Sequence, residues 1–401
     1  MGAGIVVAGA SMGGLRAAEH LRAAGWSGPI TVIGDEPHMP YNRPPLSKEV
    51  LAGKAPFASL AFTPRAAAAD VEWRLGTKAV AARLDERTVS LDDGSHLAYD
   101  GLVVATGMRP RRLRCPGPQA GRHTVRTIDD ARALRAELTR PGARVVVVGA
   151  GFIGCEVAAT AVGLGVREVT VVDPLPLPMV GPLGELLGRA LLERHRERGV
   201  RFALGAGVAG FEGDERVTGV VLSDGTVLPA DVVVEAVGSV ANVEWLEGNG
   251  LDLADGVLTD GRLRVGGRPD VVAVGDVARF PNARYDGVPR RVEHWSVPAD
   301  TAKHAAKTLL GIDSPSFAPL PTFWSDQHDF RLQSFGAPVL GKDDVRILDG
   351  DPDGDVLVGH HTGGRLVGVV ALGSRAAATA AARYRAQLLK QPALTAQGTP
   401  S

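Results

Sequence analysis

The chain has 401 residues, 45% hydrophobic and 22% charged, which is enough apolar material for two or three globular domains. A formal net charge of −1 excludes a basic nucleic-acid binder and a polybasic membrane-surface protein. The two cysteines, Cys115 and Cys155, are too far apart for a disulfide scaffold or a zinc site, and no apolar run or signal peptide reads as a membrane or export segment, so a soluble cytoplasmic protein is expected.

In chain order, Ile5–Ala8 reads as a buried strand. It runs into Gly9-Ala10-Ser11-Met12-Gly13-Gly14, then a helix to about Ala24, then a strand, Ile30–Ile33, ending at Gly34-Asp35-Glu36. That is the order of a dinucleotide loop. The glycine turn and the helix N-terminus present N–H groups and partial positive charge to a pyrophosphate, and the acidic pair suits a ribose. The middle glycine of the fingerprint is replaced by Ser11, small enough to keep the backbone approachable. Further on, Ser90–Gly94 carries an Asp-Gly hairpin turn, and Tyr99–Gly107 returns as a buried strand that stops at Ala105-Thr106-Gly107.

The same plan recurs with a fuller signature. Val145–Val148 leads into Gly149-Ala150-Gly151-Phe152-Ile153-Gly154, a helix-forming segment, and Val169–Val172, which closes on Asp173. Here Gly149 makes the turn, Gly151 admits the pyrophosphate, and Gly154 lets helix and strand pack closely. Asp173 can accept both ribose hydroxyls and repels a 2′-phosphate. No Arg or Lys follows before Arg189, so NADH is expected over NADPH. Val221–Gly225 and Ala230–Gly238 repeat the hairpin and the returning strand. The chain is therefore an internal duplication of one nucleotide-binding design, with one copy for a flavin and one for a nicotinamide.

Several further motifs carry a resemblance. They are Pro40-Tyr41-Asn42-Arg43-Pro44-Pro45-Leu46-Ser47-Lys48, Ala105-Thr106-Gly107 with Arg109-Pro110-Arg111, Val274-Gly275-Asp276-Val277-Ala278, Arg291-Val292-Glu293-His294-Trp295 and Phe323-Trp324-Ser325-Asp326-Gln327. In this order and spacing the chain, to about Leu372, resembles the NADH-dependent ferredoxin reductases of bacterial oxygenase systems, within the glutathione-reductase-like flavoproteins. The resemblance implies an α/β fold of two Rossmann-like dinucleotide-binding domains plus a small α+β C-terminal domain. The expected limits are 1–107 and 243–316 for the FAD-binding domain, 108–242 for the NADH-binding domain, and 317–401 for the C-terminal domain.

It also implies roles for residues. FAD would lie along Gly9, Ser11, Gly13 and Gly14, with Asp35 or Glu36 at its adenosine ribose and Ala79 touching the adenine through its backbone. Arg126 would reach FAD from the domain junction, and Asp276, beside Val277, would hold the ribitol. Trp295 and Trp324 would border the flavin. Arg43, Ala105, Thr106 and Gly107 complete the candidates for FAD. Gly149, Gly151, Phe152, Ile153, Gly154, Asp173 and Gly238 are those for NADH. Lys48 and Glu156 would sit beside the flavin N5. The physical reason for that pair is that a buried lysine needs a carboxylate partner. Glu156 is expected on the first turn of its helix, where the dipole offers a second account of it.

The remaining chemistry follows from what is missing. The stretch Pro40–Lys48 holds no cysteine, so reduced flavin has no built-in thiol to discharge into. Cys115 and Cys155 read as structural, His360-His361 as a strand end, and no His/Cys spacing indicates a metal. An external protein acceptor is then expected, and the resemblance implies that it is an iron–sulfur ferredoxin, 2Fe–2S or 3Fe–4S, serving a cytochrome P-450 or a Rieske-type oxygenase. Lys303 and Lys307, four apart on one helix face, are its candidate docking residues. The alternatives are an NADH oxidase or nitrite-reductase-type flavoenzyme, and a signalling flavoprotein like apoptosis-inducing factor. From Pro319 the chain reads as four strands, Arg331–Phe335, Asp344–Asp349, Val356–His360 and Leu366–Leu372, then a helix, Ala376–Leu389, and a frayed end, Gln391–Ser401.

Overall fold

A computed structural model describes residues 2–391; apart from Gln391, the expected frayed end lies outside the described residues. Two five-stranded parallel sheets repeat one design. In the first, Ile5–Ala8 lies between Ile30–Gly34 and Gly101–Val104, with Glu72–Leu75 and Val271–Ala273 outermost. In the second, Arg144–Val148 lies between Glu168–Asp173 and Val232–Glu235, with Arg201–Leu204 and Arg122–His123 outermost. Every residue of Ile5–Ala8 and of Val145–Val148 is buried, as strands covered on both faces require. The chain leaves the first sheet after Val104, builds the second, and returns to the first at Val271.

Each sheet carries a three-stranded antiparallel flap: Ala79–Arg83, Thr88–Leu91 and His96–Ala98 in the first half, Val208–Glu212, Gly219–Leu222 and Val227–Pro229 in the second. Gly94 and Gly225 sit in the expected turns at φ +84° and +87°, angles that a side chain resists.

The C-terminal part is a five-stranded antiparallel sheet in the order Thr322–Gln327, Phe330–Gly336, Arg365–Gly373, Val356–Thr362, Val345–Gly350. The helix Arg375–Lys390 packs on one face. The other face packs Phe323, Phe330 and Leu332 against Leu187 and Leu191 of the helix Glu185–Glu197. One strand more is present than the sequence pattern predicts. Thr322–Gln327 buries Phe323, Ser325 and Gln327 and turns Trp324 and Asp326 the other way. Two polar residues on the buried face mask the usual apolar alternation. His360 and His361 lie near the end of the strand Val356–Thr362, which runs two residues past the expected end at His360, and a register shift falls between them.

Candidate functional site

The first glycine loop is shaped by contact with its own sheet. A Cβ on Gly9 would stand 2.1 Å from the Ala105 carbonyl oxygen, and one on Gly14 would stand 1.9 Å from the Gly9 carbonyl oxygen. The second loop matches it: the distances are 2.3 Å from Gly149 to the Ala236 oxygen and 1.9 Å from Gly154 to the Gly149 oxygen. Gly151 differs, because nothing in the protein lies within 4 Å of its Cβ position. Its missing side chain leaves open space outside the fold, as a pyrophosphate cradle needs. Ser11 occupies the same place in the first loop.

The strand-end acids do not fall at matching positions. Gly9 N–H donates to the Ile33 carbonyl at 2.7 Å and Gly149 N–H to the Val172 carbonyl at 2.8 Å, so Gly34 is the counterpart of Asp173. No side chain fits at Gly34, where a Cβ would lie 2.4 Å from that of Ala10. The acid is displaced to Asp35 and Glu36. Glu36 is committed to Arg43 and to Tyr41 Oη, leaving Asp35 exposed and without a side-chain partner among the described residues. Asp173 accepts the backbone N–H of Ala150 at 2.7 Å and of Leu175 at 2.8 Å. Beside this loop Ile153 and Leu175 stand 43% and 49% exposed, apolar surface suited to a flat ring. Ala79 opens the first flap; Thr77, two residues before it, donates its N–H to the Gly34 carbonyl at 2.8 Å.

A cavity of about 620 Å³ opens between the two loops and the C-terminal sheet. Ser11, Arg43, Lys48, Phe152, Ile153, Glu156, Arg126, Asp276, Trp295 and Trp324 all line it. Gly9, Gly13, Gly14, Asp35, Ala105, Thr106, Gly107, Gly149, Gly151, Gly154, Asp173, Gly238 and Val277 are not in its wall. The Val277 side chain is fully buried in the first core. Trp295 stacks on Phe62 with ring centres 6.3 Å apart.

At the floor, Lys48 Nζ lies 2.6 Å from Glu156 Oε2, with the side chains only 12% and 4% exposed. Ser47 Oγ donates to the same oxygen at 2.5 Å and Ser325 Oγ to Glu156 Oε1 at 2.6 Å. The helix begins at Phe152, so Glu156 stands one turn in, not on the first turn. Its partners are side chains from other segments, which replaces the dipole account with charge-assisted hydrogen bonds. Ser47 and Ser325 are functional residues that the sequence pattern alone does not mark; a serine on the buried face of a strand is the signal that points to the latter.

A second charged group also lines the cavity. Asp130 caps its own helix with Thr127 and accepts the Arg126 N–H at 3.0 Å, aiming that arginine inward. Arg126 Nη2 lies 3.7 Å from Asp276 Oδ2, and Arg126 Nε has no partner. Burial raises the Asp276 carboxyl, and the Arg126 charge opposes that rise. His294, also in the wall, keeps an unpaired Nδ1. Unsatisfied donors around a cavity flanked by two phosphate-type loops fit a flavin dinucleotide.

Residues 3–302 match the family model described as pyridine nucleotide-disulphide oxidoreductase, and residues 322–395 the one described as reductase C-terminal. The chain belongs to the pyridine nucleotide-disulphide oxidoreductase family. A probable ferredoxin reductase, CtmF, of Castellaniella defragrans is 40% identical over 358 residues, 87% of this chain and 85% of that one. Putidaredoxin reductase CamA of Pseudomonas putida is 38% identical over 343 residues, 83% and 80% of the two chains. The solved covalent complex of putidaredoxin reductase with putidaredoxin aligns at TM-score 0.89 and 33% identity, covering 96% of this chain and 92% of that one. The family's name includes a disulphide, yet neither cysteine of this chain lines the cavity. Cys155 is fully buried, and burial pushes its thiol far up, so it is no ready nucleophile. No helix among the described residues is long and apolar enough to cross a membrane.

Proposed function

We propose that the chain is a FAD-dependent NADH:ferredoxin oxidoreductase that passes electrons singly to an iron–sulfur ferredoxin serving a cytochrome P-450 or a Rieske-type oxygenase. The observation that carries this reading is the buried Lys48–Glu156 pair in a thiol-free cavity between two dinucleotide loops. Without a cysteine to take the electrons, the acceptor comes from outside. The relatives named as ferredoxin reductases supply the kind of acceptor.

FAD would be held by the loop at Gly9–Gly14, by Asp35 at the ribose, and by Arg126 and Asp276 near its centre. NADH would be held by the loop at Gly149–Gly154 and by Asp173. When bound, a flavin accepts a hydride from a nicotinamide and can release two electrons one at a time. The protein's part is to align the rings, exclude water and balance charge. Phe152 and Phe323 meet edge to face at 5.1 Å in the cavity wall and keep it apolar. Lys48 and Glu156 set fixed charges of opposite sign at the floor, where charge moves during transfer. We place the domain limits near residues 107, 242 and 316, the first close to the point where the chain leaves the first sheet.

The test is NADH-driven cytochrome c reduction by the yellow, FAD-loaded protein with and without an added 2Fe–2S or 3Fe–4S ferredoxin. Fast reduction only with the ferredoxin supports the reading. Fast turnover with oxygen, peroxide or nitrite alone supports an oxidase-type enzyme instead.

A further inference from the structure

Glu156 ends a longer run of hydrogen bonds. Its Oε1 accepts from Ser325 Oγ at 2.6 Å, and Ser325 Oγ accepts from Gln327 Nε2 at 2.9 Å. Gln327 Oε1 stands 2.8 Å from His195 Nε2, and His195 Nδ1 stands 3.2 Å from His328 Nε2. Ser325, Gln327 and His195 are 0%, 1% and 0% exposed, so the run crosses the interior from the cavity wall towards half-buried His328.

Chemistry gives this run one direction. A carboxylate only accepts, so Ser325 must donate to it and accept from the Gln327 amide. The amide carbonyl then requires a donor, which places the His195 proton on Nε2 and leaves Nδ1 to accept from His328. Burial holds His195 down to about 4, so the ring is neutral and has a definite tautomer. The edges of Phe202 and Phe330 pack against it at 5.9 and 5.8 Å. A glutamine in the middle transmits polarity but has no acidic proton to hand on. The run is therefore a brace and not a proton path.

We propose that Ser325, Gln327 and His195 are positioning residues that hold Glu156 as an oriented anion against Lys48. The C-terminal sheet and the helix Glu185–Glu197 would thus set the charge geometry of the cavity floor. This rests on the reading of Lys48 and Glu156 as the pair beside the flavin, and the experiment separates the two.

Flavin reduction by saturating NADH is measured in the parent holoenzyme, Ser325→Ala, Glu156→Ala and the double variant. Ser325→Ala slows reduction about tenfold, the effect of one hydrogen bond to a charged group, with FAD content and NADH affinity unchanged. Ser325→Thr, which keeps the hydroxyl, restores the rate, and in the Glu156→Ala background Ser325→Ala costs nothing further. An equal loss in both backgrounds overturns the proposal. If Glu156→Ala leaves reduction untouched, the reading of the pair has failed, and the brace is judged on holoprotein carrying ¹⁵N-histidine. There His195 is the Nε2–H tautomer in the parent and moves towards a mixture in Ser325→Ala. A parent His195 protonated on Nδ1 overturns the proposal.

Discussion

Lys48 and Glu156 meet at 2.6 Å although the lysine comes from the short turn after the first glycine loop and the glutamate from the helix behind the second. The two halves of the duplication are thus joined through one buried ion pair at the cavity floor. Thr160 of the same helix adds a hydroxyl donated to the Ser47 carbonyl at 2.7 Å, so the contact is fixed on both sides.

Breaking this pair leaves a charge without its partner. Lys48→Ala and Glu156→Ala each lower stability by about 3 kcal/mol, the scale for one orphaned member of a buried pair. Each also slows flavin reduction by NADH while FAD content stays near normal. The double variant is less damaged than the sum of the singles, in urea unfolding and in stopped-flow reduction alike. Strict additivity would show that the two residues do not act together.

We propose that Asp173 sets the nicotinamide preference. Asp173→Ser narrows the ratio of kcat/KM for NADH over NADPH by about tenfold, because it removes one like-charge repulsion and one ribose contact. The KM for NADH rises as well, since the carboxylate also ties down Ala150 and Leu175. A parent enzyme that uses NADPH as well as NADH would refute the assignment.

The three central strands of each sheet and the Asp-Gly turn of each flap were legible in the sequence because periodicity and turn residues agree there. The outer strands Glu72–Leu75, Val271–Ala273, Arg201–Leu204 and Arg122–His123 and the flap strands Ala79–Arg83 and Val208–Glu212 were not legible. The C-terminal strand Thr322–Gln327 was not, since Ser325 and Gln327 sit where apolar residues are expected. The family resemblance brought Lys48 and Glu156 together, but Ser325 reaches Glu156 from a distant segment, and pairing of that range leaves no local pattern. The choice between Asp35 and Glu36 was equally closed to sequence. It depends on Arg43 and Tyr41 folding back onto Glu36.

Acid should weaken the fold through its buried histidines. Burial pushes His195, His294, His328 and His360 down to about 4 from an ordinary 6.5. The unfolded chain then binds protons that the folded chain refuses. Stability is complete above about 6.5 and falls as pH drops through the window to about 4. Urea midpoints of the holoprotein measured across that window give the slope, and His360→Leu makes it shallower. A midpoint constant from pH 7 to 4.5 would contradict the burial of these rings.

We propose the helix Val297–Leu309 as the surface for the electron acceptor. It starts at the cavity, where Pro298 forms part of the wall, and Thr301 Oγ1 accepts the Gly275 N–H at 2.9 Å, tying the helix to the Asp276 turn. Ala302, Ala305 and Ala306 bury one face, while Lys303 and Lys307 stand exposed on the other. His304 does not join them as a free cation: its ring packs against Phe317 at 5.3 Å, and burial lowers it. Two lysines four positions apart offer a small positive patch to an acidic ferredoxin. Lys303→Glu cuts ferredoxin reduction about tenfold at low salt and much less at high salt, where exposed charges are screened. Ferricyanide reduction, which needs no docking, stays at the parent rate. Equal losses with both acceptors would place Lys303 at the flavin and remove this helix from the docking surface.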